Sequence, residues 1–319
     1  MMLAQRSLSM KHLSRYGIVA AFVAICIALS SMNPYFLTIN NLLNILQQVS
    51  INGLLAIGMT FVILAGGIDL SVGSVLAFAG MVAASVVAGD APHAPFLAVV
   101  AGVAVGVASG ALNGLVIARF RVPAFVVTLG MLSIARGATQ IYNDGMPISG
   151  LSDAFLLIGQ GKVAGVPIPV LIFLALFAAS LVVLRYSRFG RYVYAVGGNE
   201  KSARASGVPT RLILLSVYAI CGGCAGLAGV VLNARTTSAL TQAGVGYELD
   251  AIAAVVIGGT SLSGGIGGVA GTLFGVLIIG VINNGLDLMG VSSYYQQVIK
   301  GAVIVCAVLL DIAARRESN

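Results

Sequence analysis

The fold class predicted from this sequence is all-α: a polytopic membrane protein of about ten transmembrane helices with two Gly-rich helix breaks. Four observations carry the prediction. Of 319 residues, 59% are hydrophobic and only 8% are charged, where an ordinary soluble domain carries about 25% charged residues. A mean hydropathy of +1.03 would leave a soluble fold almost nothing to place against water. The apolar residues come in long runs, near the roughly 20 residues that a helix needs to cross a bilayer. The Lys and Arg residues, finally, gather on one side of the spans that those runs define.

Taken in order, apolar runs and punctuation place spans at 16–34, 44–65, 71–89, 95–118, 123–142, 167–185, 211–232, 248–262, 268–288 and 294–312. Two of them, 71–89 and 248–262, are short or interrupted by glycine. Residues 1–15 form a basic, polar leader that enters the first apolar run without a small-residue cleavage site, so the first span is expected to be retained. In the fourth span Gly102, Gly106, Gly110 and Gly114 recur every four residues, a stripe that lets a neighbouring backbone approach closely.

An even number of spans puts both ends on one side. That side holds Arg6, Lys11 and Arg15, then Arg119 and Arg121, then Arg185, Arg188, Arg191, Lys201, Arg204 and Arg211, and last Arg315 and Arg316: 13 of the 17 basic residues. Only Lys162 and Arg235 fall on the other side, while Arg136 and Lys300 lie within spans or at their ends. Basic loops stay in the cytoplasm, so both termini are expected there. The net charge of +7 then reflects topology, and no nucleic-acid partner is implied. The chain is read as one transmembrane domain, 16–312, between the leader 1–15 and a cytoplasmic tail 313–319. Asn113, Gly114, Arg119 and Arg121 are read as a cytoplasmic turn. Two loops have substance: an extracytoplasmic one at 142–169, and a cytoplasmic one at 185–211 that is the most polar and basic segment of the chain.

Enzymatic constellations are not found. The sequence holds no HExxH, no nucleophile-plus-histidine set, no metal cluster and no GxxxxGK[ST] phosphate loop. No metal and no cofactor is expected, and nucleotide chemistry, if the protein is a pump, belongs on another polypeptide. The histidines are His12 and His93. Cys221 and Cys224 form a CxxC, read as small apolar residues sharing a helix face rather than as a redox pair. The GxGxxxG within Gly264–Gly271 follows a membrane-depth segment and not a strand, so it is read as a chain break and a packing surface.

Charge inside the membrane is functional or structural by necessity. "GGIDLSVG" interrupts the helical pattern with Asp69 at its centre. Gly66 and Gly67 permit a turn, after which Asp69 and Ser71 can cap the N–H groups of the next helix. The same break can border a substrate pathway, because broken helices mark such pathways; the two readings are compatible. "GGTSLSGG", Gly258–Gly265, repeats the device with Ser261 and Ser263. Asp69, Ser71, Ser74, Ser261 and Ser263 are therefore candidates for a translocation path. Asn283 and Asn284 are weaker candidates, for which helix–helix hydrogen bonding is an equal alternative. Glu248 and Asp250 open a helix, where negative charge suits the dipole.

Within the cytoplasmic loop, "GGNEKSARASGVP" is expected to form a short surface helix. Asn199 is a good N-cap, Glu200 lies in the first turn, and Gly207 with Pro209 supplies the stop. Ala203, Ala205 and Ser206 are small enough for close docking.

Three stretches carry a family resemblance. "NPYFLTINNLLNILQQVSINGLLAIGMTFVILAGGIDLSVGSVLAFAG" resembles the second and third spans of the ribose-type permeases of bacterial ABC (ATP-binding cassette) sugar importers. "SRFGRYVYAVGGNEKSARASGV" is similar to their main cytoplasmic loop. "GYELDAIAAVVIGGTSLSGGIGGVAGTLFG" and "NNGLDLMGVSSYYQQVIKGAVI" resemble their C-terminal third. The resemblance covers about residues 33 to 312. It implies a multi-pass protein of the bacterial inner membrane, in contact with membrane lipid. It implies a cytoplasmic ATPase subunit, a periplasmic sugar-binding protein, and a second permease copy or paralogue. It also implies that the 199–207 helix is the coupling element, with Asn199, Glu200, Ser202, Ala203, Ser206 and Gly207 meeting the ATPase. The resemblance does not single out the sugar. The alternative is an ion-coupled secondary carrier of a small polar solute, which would need coupling-ion ligands that the sequence does not display. An intramembrane enzyme is a more distant third.

Overall fold

The computed structural model describes residues 2–89 and 94–316. His93 and residues 317–319 of the expected tail lie outside the described residues. Ten helices coincide with the ten apolar segments: α1 (Met2–Met32), α2 (Ile39–Leu64), α3 (Val72–Val87), α4 (Pro95–Phe120), α5 (Ala124–Tyr142), α7 (Ile168–Tyr186), α10 (Thr210–Thr236), α11 (Tyr247–Ile257), α12 (Val269–Leu288) and α13 (Ser293–Arg316). The loops add three more: α6 (Asp153–Gln160), α8 (Arg188–Gly198) and α9 (Glu200–Ala205). Among the described residues, six of the thirteen helices, α2, α4, α5, α7, α10 and α12, are long and apolar enough to cross a membrane. The two segments read as short are short: α3 has 16 residues and α11 has 11.

Among the described residues, one two-stranded sheet departs from all-α. β1 (Lys162–Val163) and β2 (Val166–Pro167) pair antiparallel. Ala164 and Gly165 both take positive φ between them, 51° and 83°, as a two-residue hairpin turn requires.

α2 is the central helix. Every residue from 49 to 65 is buried, and the segment is apolar all round, as a helix enclosed on all sides must be. α7, α8, α10, α11 and α12 pack around it. The glycine stripe of α4 lies against α10. A Cβ on Gly106 or Gly110 would strike the carbonyls of Gly222 and Tyr218, and Gly222 and Gly226 of α10 face Gly106 and Gly102 in return. Backbone meets backbone along this pair, the close approach that small residues permit. Cys221 and Cys224 are buried free thiols on the face of α10 that meets Gly58 of α2. Asn113 corrects the expected cytoplasmic turn. It sits inside α4, buried, and its amide reaches Ser71.

Candidate functional site: two helix breaks and the α8–α9 pair

The first break follows α2. Gly66, with φ +82°, takes the left-handed position. Gly67 N–H donates to the Val62 carbonyl and Gly66 N–H to the Ile63 carbonyl, each at 2.9 Å. This is the Schellman ending, which satisfies carbonyls that a helix end leaves orphaned. One turn later, Asp69 Oδ1 accepts the Ser71 backbone N–H at 2.9 Å and the Ser71 hydroxyl at 2.6 Å. The Ser71 hydroxyl in turn accepts from Asn113 Nδ2 at 3.1 Å. Tyr218 and Thr128 each point a hydroxyl at the Ile68 carbonyl, at 3.4 Å.

Capping is therefore different from the expectation. Ser71 occupies the N-cap of α3, but its side chain makes no cap bond; Asp69 instead closes a turn onto Ser71 itself. The carboxylate is 1% exposed and holds the shape of the break, since an unpaired N–H or hydroxyl at this depth has no water to turn to. Ser74 is buried as well.

The second break, between α11 and α12, ends its helix the same way. Thr260 N–H donates to the Val255 carbonyl at 3.1 Å and Gly259 N–H to the Val256 carbonyl at 2.8 Å, with Gly259 at φ +80°. It also repeats a side-chain turn: Ser261 Oγ accepts the Ser263 N–H at 3.1 Å. Ser261 is buried and Ser263 exposed. The breaks touch one another. Gly265 N–H donates to the Leu64 carbonyl at 2.9 Å, and a Cβ on Gly264 would lie 2.9 Å from the Gly66 backbone.

Asn283 and Asn284 divide. Asn284 and Asn41 exchange amide hydrogen bonds, at 2.8 and 2.9 Å, tying α12 to α2. Asn283 Nδ2 donates to Asp250 Oδ2 at 3.4 Å, and its buried Oδ1 has no partner. Asp250 meets Lys300 as well, Nζ to Oδ2 at 2.9 Å, with the Asp250 side chain 2% exposed. Reading Asp250 only as a helix-start charge missed this ion pair. The signal available was a lone Lys300 inside an apolar run, which demands a buried partner.

The segment 185–211 folds as α8 and α9. Ser187 caps α8 by accepting the Gly190 N–H at 3.0 Å. Val193 and Val196 are buried, and Gly197 is wedged against the Leu64 carbonyl and the Gly265 nitrogen. Tyr194 donates to the Gly267 carbonyl at 2.9 Å. Burial pushes its phenol above the ordinary value, so it remains a donor at neutral pH. α9 begins as expected, with Asn199 Oδ1 accepting the Ser202 N–H at 2.9 Å. It ends on Gly207 at φ +83°, with Val208 N–H bonded to the Ala203 carbonyl and Gly207 N–H to the Arg204 carbonyl, both at 3.0 Å. Glu200 and Arg204 pair at 2.6 Å one turn apart. Ala203 is buried, so it faces the protein and not a partner; Lys201, Ser202, Ala205 and Ser206 form the exposed face.

These features define a membrane-embedded helical bundle whose two helix breaks meet each other and α8. Comparison with known proteins agrees. Residues 41–308 match the family described as the permease component of branched-chain amino acid transport systems, and the chain belongs to this family. It is 52% identical to the ribose import permease protein RbsC of Escherichia coli K12 over 299 residues, covering 92% of each chain. It is 47% identical to the Bacillus subtilis ribose import permease, covering 94% of this chain and 93% of that one. Its identity to the D-allose transport system permease protein AlsC of E. coli K12 is 42%, over 93% of this chain and 91% of the relative. No solved structure matches it.

Proposed function

We propose that this chain is the transmembrane permease subunit of an ATP-driven importer of ribose-type monosaccharides, residing in the bacterial inner membrane. The observation that carries this reading is the 52% identity to a ribose import permease across 92% of both chains. The ion-coupled carrier finds no support in the family or in the relatives. As a permease the chain moves solute and is not itself an enzyme; ATP hydrolysis falls to a separate cytoplasmic ATPase, and capture of the sugar to a periplasmic binding protein.

The ten helices α1–α5, α7 and α10–α13 form one transmembrane domain, 16–312, with both termini cytoplasmic. It dimerises with a second copy or a paralogue. The two breaks border the translocation path. Asp69, Ser71, Ser74, Ser261, Asn283 and Asn284 hold its wall from behind, which is consistent with their burial, while the exposed Ser263 faces the path. α9 is the coupling helix, and the contact of α8 with both breaks supports a route from the ATPase to the path.

The test is uptake of labelled ribose by membrane vesicles carrying the permease, its ATPase and its binding protein. ATP-dependent uptake is expected. Uptake that persists without the ATPase, driven by an ion gradient, would overturn the reading.

A further inference from the structure

We propose that the cavity between α11 and α13 binds a neutral, polyhydroxylated solute, the chemistry of a monosaccharide in transit; this rests on the permease reading above. The cavity has a volume of about 560 Å³, within the range of small-molecule sites. One face of α13 supplies Ser293, Gln296, Gln297 and Lys300, at spacings that share a helix face. A polar stripe on an otherwise apolar span needs polar contents. Opposite it stand Glu248 and the apolar Val245 and Leu249, which suit the C–H face of a sugar ring.

The lining offers both donors and acceptors, and its cation is paired. Lys300 is neutralised by Asp250 at 2.9 Å, leaving its other N–H groups to donate. The Glu248 carboxylate abuts Gly73 in the first turn of α3, where a helix dipole stabilises an anion. The amide nitrogen of Gln296 is taken by Asp287 at 2.8 Å and the Val291 carbonyl at 2.9 Å, which orients its oxygen as an acceptor. An anionic ligand would find no unpaired cation here, since Lys300 is held by Asp250. A polyol would find hydroxyl partners on both walls. The contact of Glu248 with Gly73 also places the cavity beside the helix that follows the first break.

The test uses the permease assembled with its partners in lipid vesicles. Gln297→Cys, at an exposed position, should react with a small aqueous thiol reagent above the background of the parent protein. Millimolar ribose should slow that reaction several-fold, and ribose 5-phosphate should not. Adding Glu248→Gln should raise the ribose concentration for half-protection about tenfold, the scale of one hydrogen bond to a charged group. An inert thiol, no protection by ribose, or equal protection by the phosphate would overturn the site. Uptake by the parent protein is scored separately. Ribose uptake without protection rejects this site alone. Absent uptake rejects the importer reading, and protection still decides the site.

Discussion

The backbone N–H of Gly265 donates to the carbonyl of Leu64 at 2.9 Å, so the last residue of α2 is bonded to the break between α11 and α12. Carbonyls in the last turn of a helix have no partner in their own helix. Here one is satisfied by a segment some 200 residues away in sequence. Gly197, near the end of α8, lies against the same two groups. α8 therefore contacts both breaks at a single point, where close packing leaves no room for added atoms.

Gly197→Ala should be costly. The added Cβ would collide with the Leu64 carbonyl and lie 2.7 Å from the Gly265 nitrogen. Overpacking of this kind costs about 1–3 kcal/mol, and a lower Tm in detergent is expected together with reduced transport. Gly198→Ala is the control, since a Cβ there meets nothing within 4 Å. Equal behaviour of the two variants would show that the junction is pliable.

At Asp69 the acceptor matters more than the charge. Asp69→Ala strands the Ser71 N–H and hydroxyl, and each orphaned buried group costs about 1–3 kcal/mol. Asp69→Asn keeps an oxygen at the Oδ1 position. Thermal unfolding should rank the proteins wild type, then Asn, then Ala. If Asn were as damaging as Ala, the negative charge itself would be the requirement.

Much of this was legible in the sequence. Apolar runs favour helix, so the ten runs coincide with ten helices, six of them long and apolar enough to cross a membrane, and the period-four glycines of α4 announced its contact with α10. Asn199 and Gly207 bounded α9 because caps are local chemistry. Tertiary contacts were not legible. α8 was passed over as loop because "RFGRYVYAVGG" carries three glycines and two arginines; its helix is fixed by burial of Val193 and Val196. Ala203 looked like a docking residue, and only packing shows which side of a six-residue helix faces inward. Asn113 looked like part of a turn until Ser71, 42 residues away, gave it a partner.

The Asp250–Lys300 pair predicts an asymmetric mutant series. Lys300→Met leaves a buried carboxylate without its cation, a change worth about 3–5 kcal/mol. Asp250→Asn combined with Lys300→Met removes the charge and should recover most of that loss. A double-mutant cycle on Tm measures the coupling. Additive losses would mean that the 2.9 Å contact contributes little.

Topology can be read with reporters. If the C-terminus is cytoplasmic, as proposed, alkaline phosphatase fused after Asn319 should be inactive and green fluorescent protein at the same point should fluoresce. Active phosphatase would mean an odd number of crossings, and the assignment of α3 or α11 as a span would be the first to fall.

The coupling role of α9 is tested on its exposed face. Ser202 and Ser206 are exposed, and Ser206 Oγ bonds only back to the Ser202 carbonyl, at 3.0 Å. Surface substitutions away from special features change stability by about 0.5 kcal/mol or less, so Ser202→Trp and Ser206→Trp should insert and melt like wild type. If the face grips an ATPase groove, the bulky side chain blocks docking. The ATPase should then co-purify poorly, and ribose uptake should fall at least tenfold, equivalent to about 1.4 kcal/mol. Ala203→Trp is expected to behave differently: Ala203 is 6% exposed, so its variant should lose stability first and coupling as a consequence. Asn199→Ala removes the cap that holds the first turn and should cost about 1 kcal/mol, weakening docking without blocking it. Normal co-purification and normal uptake in both Ser→Trp variants would remove α9 from the route between ATP hydrolysis and the helix breaks.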